Sequence, residues 1–141
     1  MCLCVFCKGD EVHYEKLKGP ARRLGAAFQK VNFLRDMKSD YDERGRVYFP
    51  GVDFNTFTDK DKKVIEKDIL KDFEVAYKGI LELPQGVRLG VYLAYIFYLK
   101  LFKKIKKAPA TLVRKERIRI NNWKKLYLLF CTTVKLRLNL V

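Results

Sequence analysis

Residues 22–50 read RRLGAAFQKVNFLRDMKSDYDERGRVYFP, and this stretch decides the fold. Gln29, Asn32, Asp36 and Asp40 follow one another at spacings of three, four and four residues. At 3.6 residues per turn, that spacing lines four polar side chains along one stripe of a single helix. Leu24, Phe28, Val31, Phe33 and Leu34 occupy the other faces, so the helix is otherwise largely apolar. Two carboxylates one turn apart repel each other, and near a core they are costly unless a positive charge lies between them. A hard divalent cation meets that need. Mg²⁺, held by a few carboxylates and a phosphate-bearing substrate, suits the arrangement, and Mn²⁺ shares its preference for oxygen ligands.

Outward from this helix, 141 residues make one domain with a sizeable core. Hydrophobic residues are 49% and charged residues 33% of the chain, a globular balance and not a disordered one. The net charge of +14 is unevenly placed: residues 98–141 hold thirteen Lys or Arg against one acid, Glu116. Such a surface prefers polyanions, meaning lipid headgroups, nucleic acid or diphosphates. The start, MCLCVFCKGD, has neither the basic region nor the long apolar run of a signal peptide. The most apolar window, Leu89–Leu99, is too short for the ~20 residues a bilayer requires. A cytoplasmic protein is expected, with an anionic membrane surface as a peripheral contact. Four cysteines in that setting are expected as free thiols.

Residues 2–7, CLCVFC, form an apolar run without a capping residue and read as the tail of a helix. With His13 they suggest zinc, but the spacing matches no standard finger and Cys131 is distant, so buried structural cysteines are the expectation. Gly9-Asp10 starts a short polar helix, which Gly19-Pro20 is expected to break. The stripe-bearing helix then runs from Ala21 to about Asp40, and residues 41–57 form a loop marked by Gly45, Pro50, Gly51 and Asn55. Thr58 reads as the N-cap of the next helix, favoured by Asp59 and Asp61. That helix places Val64, Ile65, Ile69, Phe73, Ala76 and Ile80 at helical spacing and ends near Leu83. Its acids Glu66, Asp68, Asp72 and Glu74 interleave with lysines, which predicts a solvated face of i,i+4 pairs. Pro84 starts a strongly apolar helix over Gly86–Lys107, in which Tyr92, Tyr95, Phe97 and Tyr98 form an aromatic stripe. Pro109 stops it, a basic connector covers Arg114–Arg119, and a last amphipathic helix spans Trp123 to about Leu140. No strand alternation or repeat occurs, and the predicted fold is all-α.

The order Gln-x-x-Asn-x-x-Arg-Asp-x-x-x-Asp followed by GRVYFP resembles the second aspartate-rich motif of the squalene/phytoene synthase family. YLKLFKKI (residues 98–105) resembles the family's Tyr-x-x-Ile-Leu-x-x-Ile helix, and RIRINNWKKL its closing segment. The details are most similar to bacterial phytoene synthases. The resemblance implies the C-terminal portion of an isoprenoid-synthase helical bundle, of about five to six helices. It implies that Asn32, Asp36 and Asp40 bind Mg²⁺ bridging to a substrate diphosphate, with Asp36 and Asp40 catalytic. Gln29 and Arg35 match positions that contact the prenyl diphosphate, Arg46 and Tyr48 the trailing Arg-x-Tyr, and Tyr98 a substrate-contacting tyrosine.

The implied reaction is the head-to-head condensation of two geranylgeranyl diphosphates to phytoene in carotenoid biosynthesis. Condensation of farnesyl diphosphate by a squalene or dehydrosqualene synthase is the alternative. The lack of a G-x-G-x-x-G run fits a reaction without a nicotinamide cofactor. One departure stands out. The family carries a first aspartate-rich motif in its N-terminal half, and none precedes Asp36 here. The chain is therefore expected to be the C-terminal half of a synthase, inactive alone, with the N-terminal half of the same fold as its missing partner. A basic helical module binding nucleic acid is the reading from another class. It leaves the Gln29–Asp40 stripe without a role, and its acids would repel phosphate in the absence of a metal.

Overall fold

The computed structural model describes residues 2–44 and 56–115; for Cys2, Cys4 and residues 38–44 it describes the backbone alone. Every regular element among the described residues is an α-helix: α1 (Cys2–Phe6), α2 (Glu11–Arg44), α3 (Asp59–Leu81), α4 (Gln85–Lys107) and α5 (Ala110–Lys115). The expected all-α fold is what forms. The amphipathic helix expected over Trp123–Leu140 lies outside the described residues, as do most of the expected 41–57 loop and residues 116–119 of the expected connector.

Local chemistry sets most of the boundaries. Lys8 and Gly9 turn the chain after α1 with φ of 51° and 85°, a region glycine enters without strain. The Asp10 carboxylate then accepts the His13 N–H at 3.1 Å and caps α2. Thr58 caps α3 as expected. Its hydroxyl accepts the Asp61 N–H while the Asp61 carboxylate accepts the Thr58 N–H, a complete capping box. Those bonds hold the Asp61 carboxyl below its ordinary range, the Thr58 hydroxyl contributing most. At the α3–α4 corner, Arg88 donates from Nε and Nη2 to the Leu83 carbonyl, at 3.0 and 2.8 Å. Asp59 accepts the Ala110 N–H at 2.8 Å, which ties the start of α3 to the start of α5.

Three expectations need correction. Gly19-Pro20 does not break the chain: α2 runs unbroken for 34 residues with Pro20 inside it, about 51 Å at 1.5 Å per residue. An interior proline costs about 3 kcal/mol in an isolated helix, so packing must offset it. Pro20 nests on α3 at Gly79, where an added Cβ would lie 2.3 Å from the Pro20 Cβ. Val64, placed among the apolar positions of α3, is 68% exposed. The stretch after Pro109 is not only a connector, since α5 forms there with Ala110 and Val113 buried.

The core sits where α2, α3 and α4 meet. Val31, Leu34, Ile69, Phe73, Leu101, Phe102 and Ile105 are almost wholly buried there. Phe73 is its centre, with the rings of Phe28, Tyr95 and Phe102 at 6.5, 5.5 and 6.0 Å. A second, smaller cluster of Cys7, Leu17 and Leu83 joins α1 to the first turns of α2 and the end of α3. Cys7 is thus the buried cysteine expected of the CLCVFC run. Beside this cluster lies an apolar pocket of about 160 Å³, walled by residues such as Leu17, Ala21, Leu24, Gly79 and Val91.

Candidate functional site

α2 carries Gln29, Asn32, Arg35, Asp36 and Asp40 of the predicted site residues, and its orientation follows from what it buries. Ala27, Val31 and Leu34 are fully buried on one side, which turns the Gln29–Asn32–Asp36 stripe away from α3. Gln29 is exposed, while Asn32 and Asp36 are half-buried. The Asn32 side-chain oxygen is buried and has no hydrogen-bond partner. An orphaned buried acceptor costs about 1–3 kcal/mol, so it marks a place where a donor or cation is owed. Arg35 folds back along the helix onto Asp36, with Nε to Oδ1 at 3.0 Å and Nη2 to Oδ2 at 2.5 Å. The guanidinium and the carboxylate thus stand together at the stripe.

Tyr98 is half-buried on α4, and its ring stacks on Phe28 with centroids 4.0 Å apart and planes at 17°. Phe28 precedes Gln29, so the structure brings Tyr98 to the helix of the stripe. The other expected aromatics divide. Tyr92 and Tyr95 stack on each other at 6.1 Å and pack with Tyr77. Burial raises both phenols above 10.0, and the neighbouring Tyr77 adds to the shift. Phe97 does not share that stripe; it lies about 100° round the helix from Tyr98, with its ring edge-on to the Tyr98 ring at 5.7 Å. The Asp40 side chain, Arg46 and Tyr48 lie outside the described residues.

Two of the four acids of α3 read as a solvated face leave it: Asp68 and Glu74 are exposed, but Glu66 and Asp72 are buried. Asp72 is fully buried, and it bonds Arg23 Nη1 at 2.9 Å and Lys30 Nζ at 2.6 Å, both from α2. Lys30 also pairs with Asp68. Burial lowers the Lys30 ammonium, but the bonds and charges of Asp68 and Asp72 outweigh it and raise the group above 10.5. Glu66 is buried as well, paired with a buried Lys62 whose ammonium also donates to the Lys106 carbonyl of α4 at 3.3 Å. Sequence reasoning missed this cross-helix lock. Its signal was present: Arg23 and Lys30 are seven residues apart, and Asp68 and Asp72 four, so each pair shares a helix face. The lock fixes the rotation of α2 about its axis and so the direction in which the stripe points.

Two of the half-buried side chains on the stripe carry oxygen donors. Asn32 offers an unengaged amide oxygen and Asp36 a carboxylate, the hard oxygen ligands this ion takes, and Mg²⁺ commonly completes its shell with water and substrate phosphate. Among the described residues no three His, Cys, Asp or Glu side chains cluster as a metal site, so the protein's share of ligands there is small.

Comparison with known proteins gives a consistent picture. The squalene/phytoene synthase family profile matches residues 1–124. The chain is 28% identical over 120 residues to a 4,4'-diapophytoene synthase of Staphylococcus haemolyticus, covering 74% of this chain and 41% of that protein. It is 32% identical over 106 residues to the chloroplastic phytoene synthase 1 of Solanum lycopersicum, covering 64% of this chain and 26% of that one. Against the chloroplastic phytoene synthase of Narcissus pseudonarcissus the identity is 31% over 106 residues, with 64% and 25% covered. The chain therefore spans well under half the length of these relatives. No solved structure gave a significant match.

Proposed function

The chain belongs to the squalene/phytoene synthase family, and on that premise we propose that it supplies one wall of the active site of a Mg²⁺-dependent prenyltransferase. The reaction is the head-to-head condensation of two geranylgeranyl diphosphates to phytoene. The observation that carries this reading is the register of Gln29, Asn32, Arg35 and Asp36 on α2, with the Asn32 oxygen buried and unpartnered. A farnesyl diphosphate substrate is the second reading, supported by the likeness to a diapophytoene synthase.

Each residue has a part that its chemistry allows. Mg²⁺, when bound, neutralises the charge of the departing diphosphate and so lowers the barrier to its loss. Asn32, Asp36 and Asp40 would hold it. Arg35 orients the Asp36 carboxylate and turns its remaining donors to the diphosphate oxygens, a charge-assisted and geometrically specific contact. Gln29, exposed on the same stripe, donates its amide to the same oxygens. Arg46 and Tyr48 have the side chains to contact the same diphosphate. Loss of diphosphate leaves an allylic cation, which needs an apolar, aromatic surrounding that keeps water away. Tyr98 and Phe28, stacked at the helix of the stripe, provide aromatic surface there. The apolar pocket about eleven residues, or roughly 16 Å, further down α2 takes part of a prenyl tail. The opposite carboxylates come from the N-terminal half of the fold.

The test is co-expression with such an N-terminal half, supplied with Mg²⁺ and geranylgeranyl diphosphate. Phytoene is the expected product, with Asp36→Ala reducing its formation at least a hundredfold, the scale of losing one preorganised electrostatic group. Equal phytoene from wild type and Asp36→Ala would show the assignment to be wrong.

A further inference from the structure

We propose that the lysines at one end of the bundle steer an anionic diphosphate from solution to the α2 stripe without touching it. The proposal rests on the reading of that stripe as a diphosphate site. The helices bring several segments to this end. α3 runs antiparallel to α2, since Pro20 meets Gly79, Arg23 meets Asp72 and Lys30 meets Asp68. α4 runs parallel to α2, since Val91 shares the apolar pocket with Leu17 and Leu24, while Tyr98 stacks on Phe28. Asp36 lies six residues beyond Lys30, and Lys62 lies six before Asp68. Asp36 also lies eight residues beyond Phe28, and Lys106 eight beyond Tyr98. All three positions therefore stand at one level, and the Lys62 ammonium does donate to the Lys106 carbonyl. The Asp59 bond to the Ala110 N–H brings the start of α5 to the same end.

Charge is unequally divided between the two ends. Residues 33–37, 59–67, 100–107 and 110–115, toward the end of Asp36, hold twelve Lys or Arg against four acids. Residues 8–18 and 74–88, toward the other end, hold five against five. Residues 38–55 carry three bases and four acids, so they leave the excess standing. The four acids are already engaged: Asp36 with Arg35, Glu66 with Lys62, Asp61 in the Thr58 cap and Asp59 on Ala110. Lys60, Lys63, Lys103, Lys106, Lys107 and Lys115 are exposed and have no ion-pair partner among the described residues. No helix among those residues is long and apolar enough to cross a membrane, so these lysines flank no spanning segment. A field of one sign raises the arrival rate of an oppositely charged ligand by about 10–1,000-fold. Here it also offsets the repulsion that the stripe's own carboxylates exert on a diphosphate. Neighbouring helix axes lie about 8–10 Å apart, so most of these lysines act from beyond hydrogen-bond reach. That distance is comparable with the ~8 Å Debye length at physiological salt. The effect therefore falls on encounter, and salt removes it.

Kinetics of the chain co-expressed with a matching N-terminal half, given Mg²⁺ and geranylgeranyl diphosphate, test the proposal. K60Q/K103Q/K107Q is expected to lose about tenfold in kcat/KM at low salt, the lower end of electrostatic steering, with kcat unchanged. At about 1 M salt, where the Debye length is ~3 Å, variant and wild type should converge. The control K8Q/K18Q/K78Q removes the same charge from the other end and should match the wild type at both salts. An unchanged kcat/KM, a loss that persists at high salt, or an equal loss in the control overturns the proposal. Absence of product from the wild-type pair would instead count against the proposed reaction. Binding of inorganic pyrophosphate with Mg²⁺ to the 141-residue chain, measured by titration calorimetry at low salt, then decides. Weaker binding by K60Q/K103Q/K107Q alone supports steering, whereas no binding to the wild type, or equal binding by the two variants, overturns it.

Discussion

Asp72 has no contact with solvent and faces two cations delivered by the neighbouring helix. Buried ion pairs add little net stability when whole, yet breaking one is costly because the remaining partner loses its match. Here Arg23 and Lys30 still reach water in part, which moderates the penalty. Asp72→Asn is expected to destabilise the chain by roughly 1–3 kcal/mol in urea unfolding. The sign of the accompanying pH effect follows from Lys30. Its ammonium is raised above 10.5 in the fold, so its contribution is fully present below that value and is lost as pH rises through the folded one. Asp72→Asn should therefore flatten the alkaline loss of stability, and an unchanged alkaline limb would contradict this account. The pairing was hard to read from the residues. Asp72 lies one position from Lys71, and its neighbours alternate in sign, a pattern that equally describes pairs within a solvated helix. Which acid is buried depends on where α2 places Arg23 and Lys30, and no local rule carries that information.

At the scale of the helix, the contrast between Thr58 and Pro20 is instructive. Thr58 was legible because a cap is a local device: hydroxyl, carboxylate and backbone all lie within four residues. Pro20 was misread because its cost is local and its compensation is not. The compensation is Gly79, fifty-nine positions away in the chain and in contact with the pyrrolidine ring. Alanine in a helix is normally better than glycine by about 1 kcal/mol, but here its Cβ would meet a rigid ring. Gly79→Ala should destabilise the chain by about 1–3 kcal/mol, read as a lowered melting temperature. A stabilised Gly79→Ala variant would mean that Pro20 and α3 do not pack as described.

For the molecule as a whole, the all-α character and the stripe on α2 were legible because both rest on periodicity and on a long ordered motif. The family follows from the same residues. Less legible was the division of the interior. Cys7, Leu17 and Leu83 form one cluster, whereas Val31, Leu34, Phe73 and Phe102 belong to another. Both clusters are assembled from residues far apart in the chain, so no window of sequence reveals the boundary between them. α2 passes through both, and Pro20, which has no amide hydrogen, lies just beyond Leu17 toward the second. The helix is continuous in shape but need not be uniform in its resistance to opening. In deuterium exchange, the amides of residues 11–18 should open with a lower free energy than those of residues 27–36, and equal protection along α2 would refute this. The end that presents Asn32 and Asp36 would then keep its form while the other end breathes.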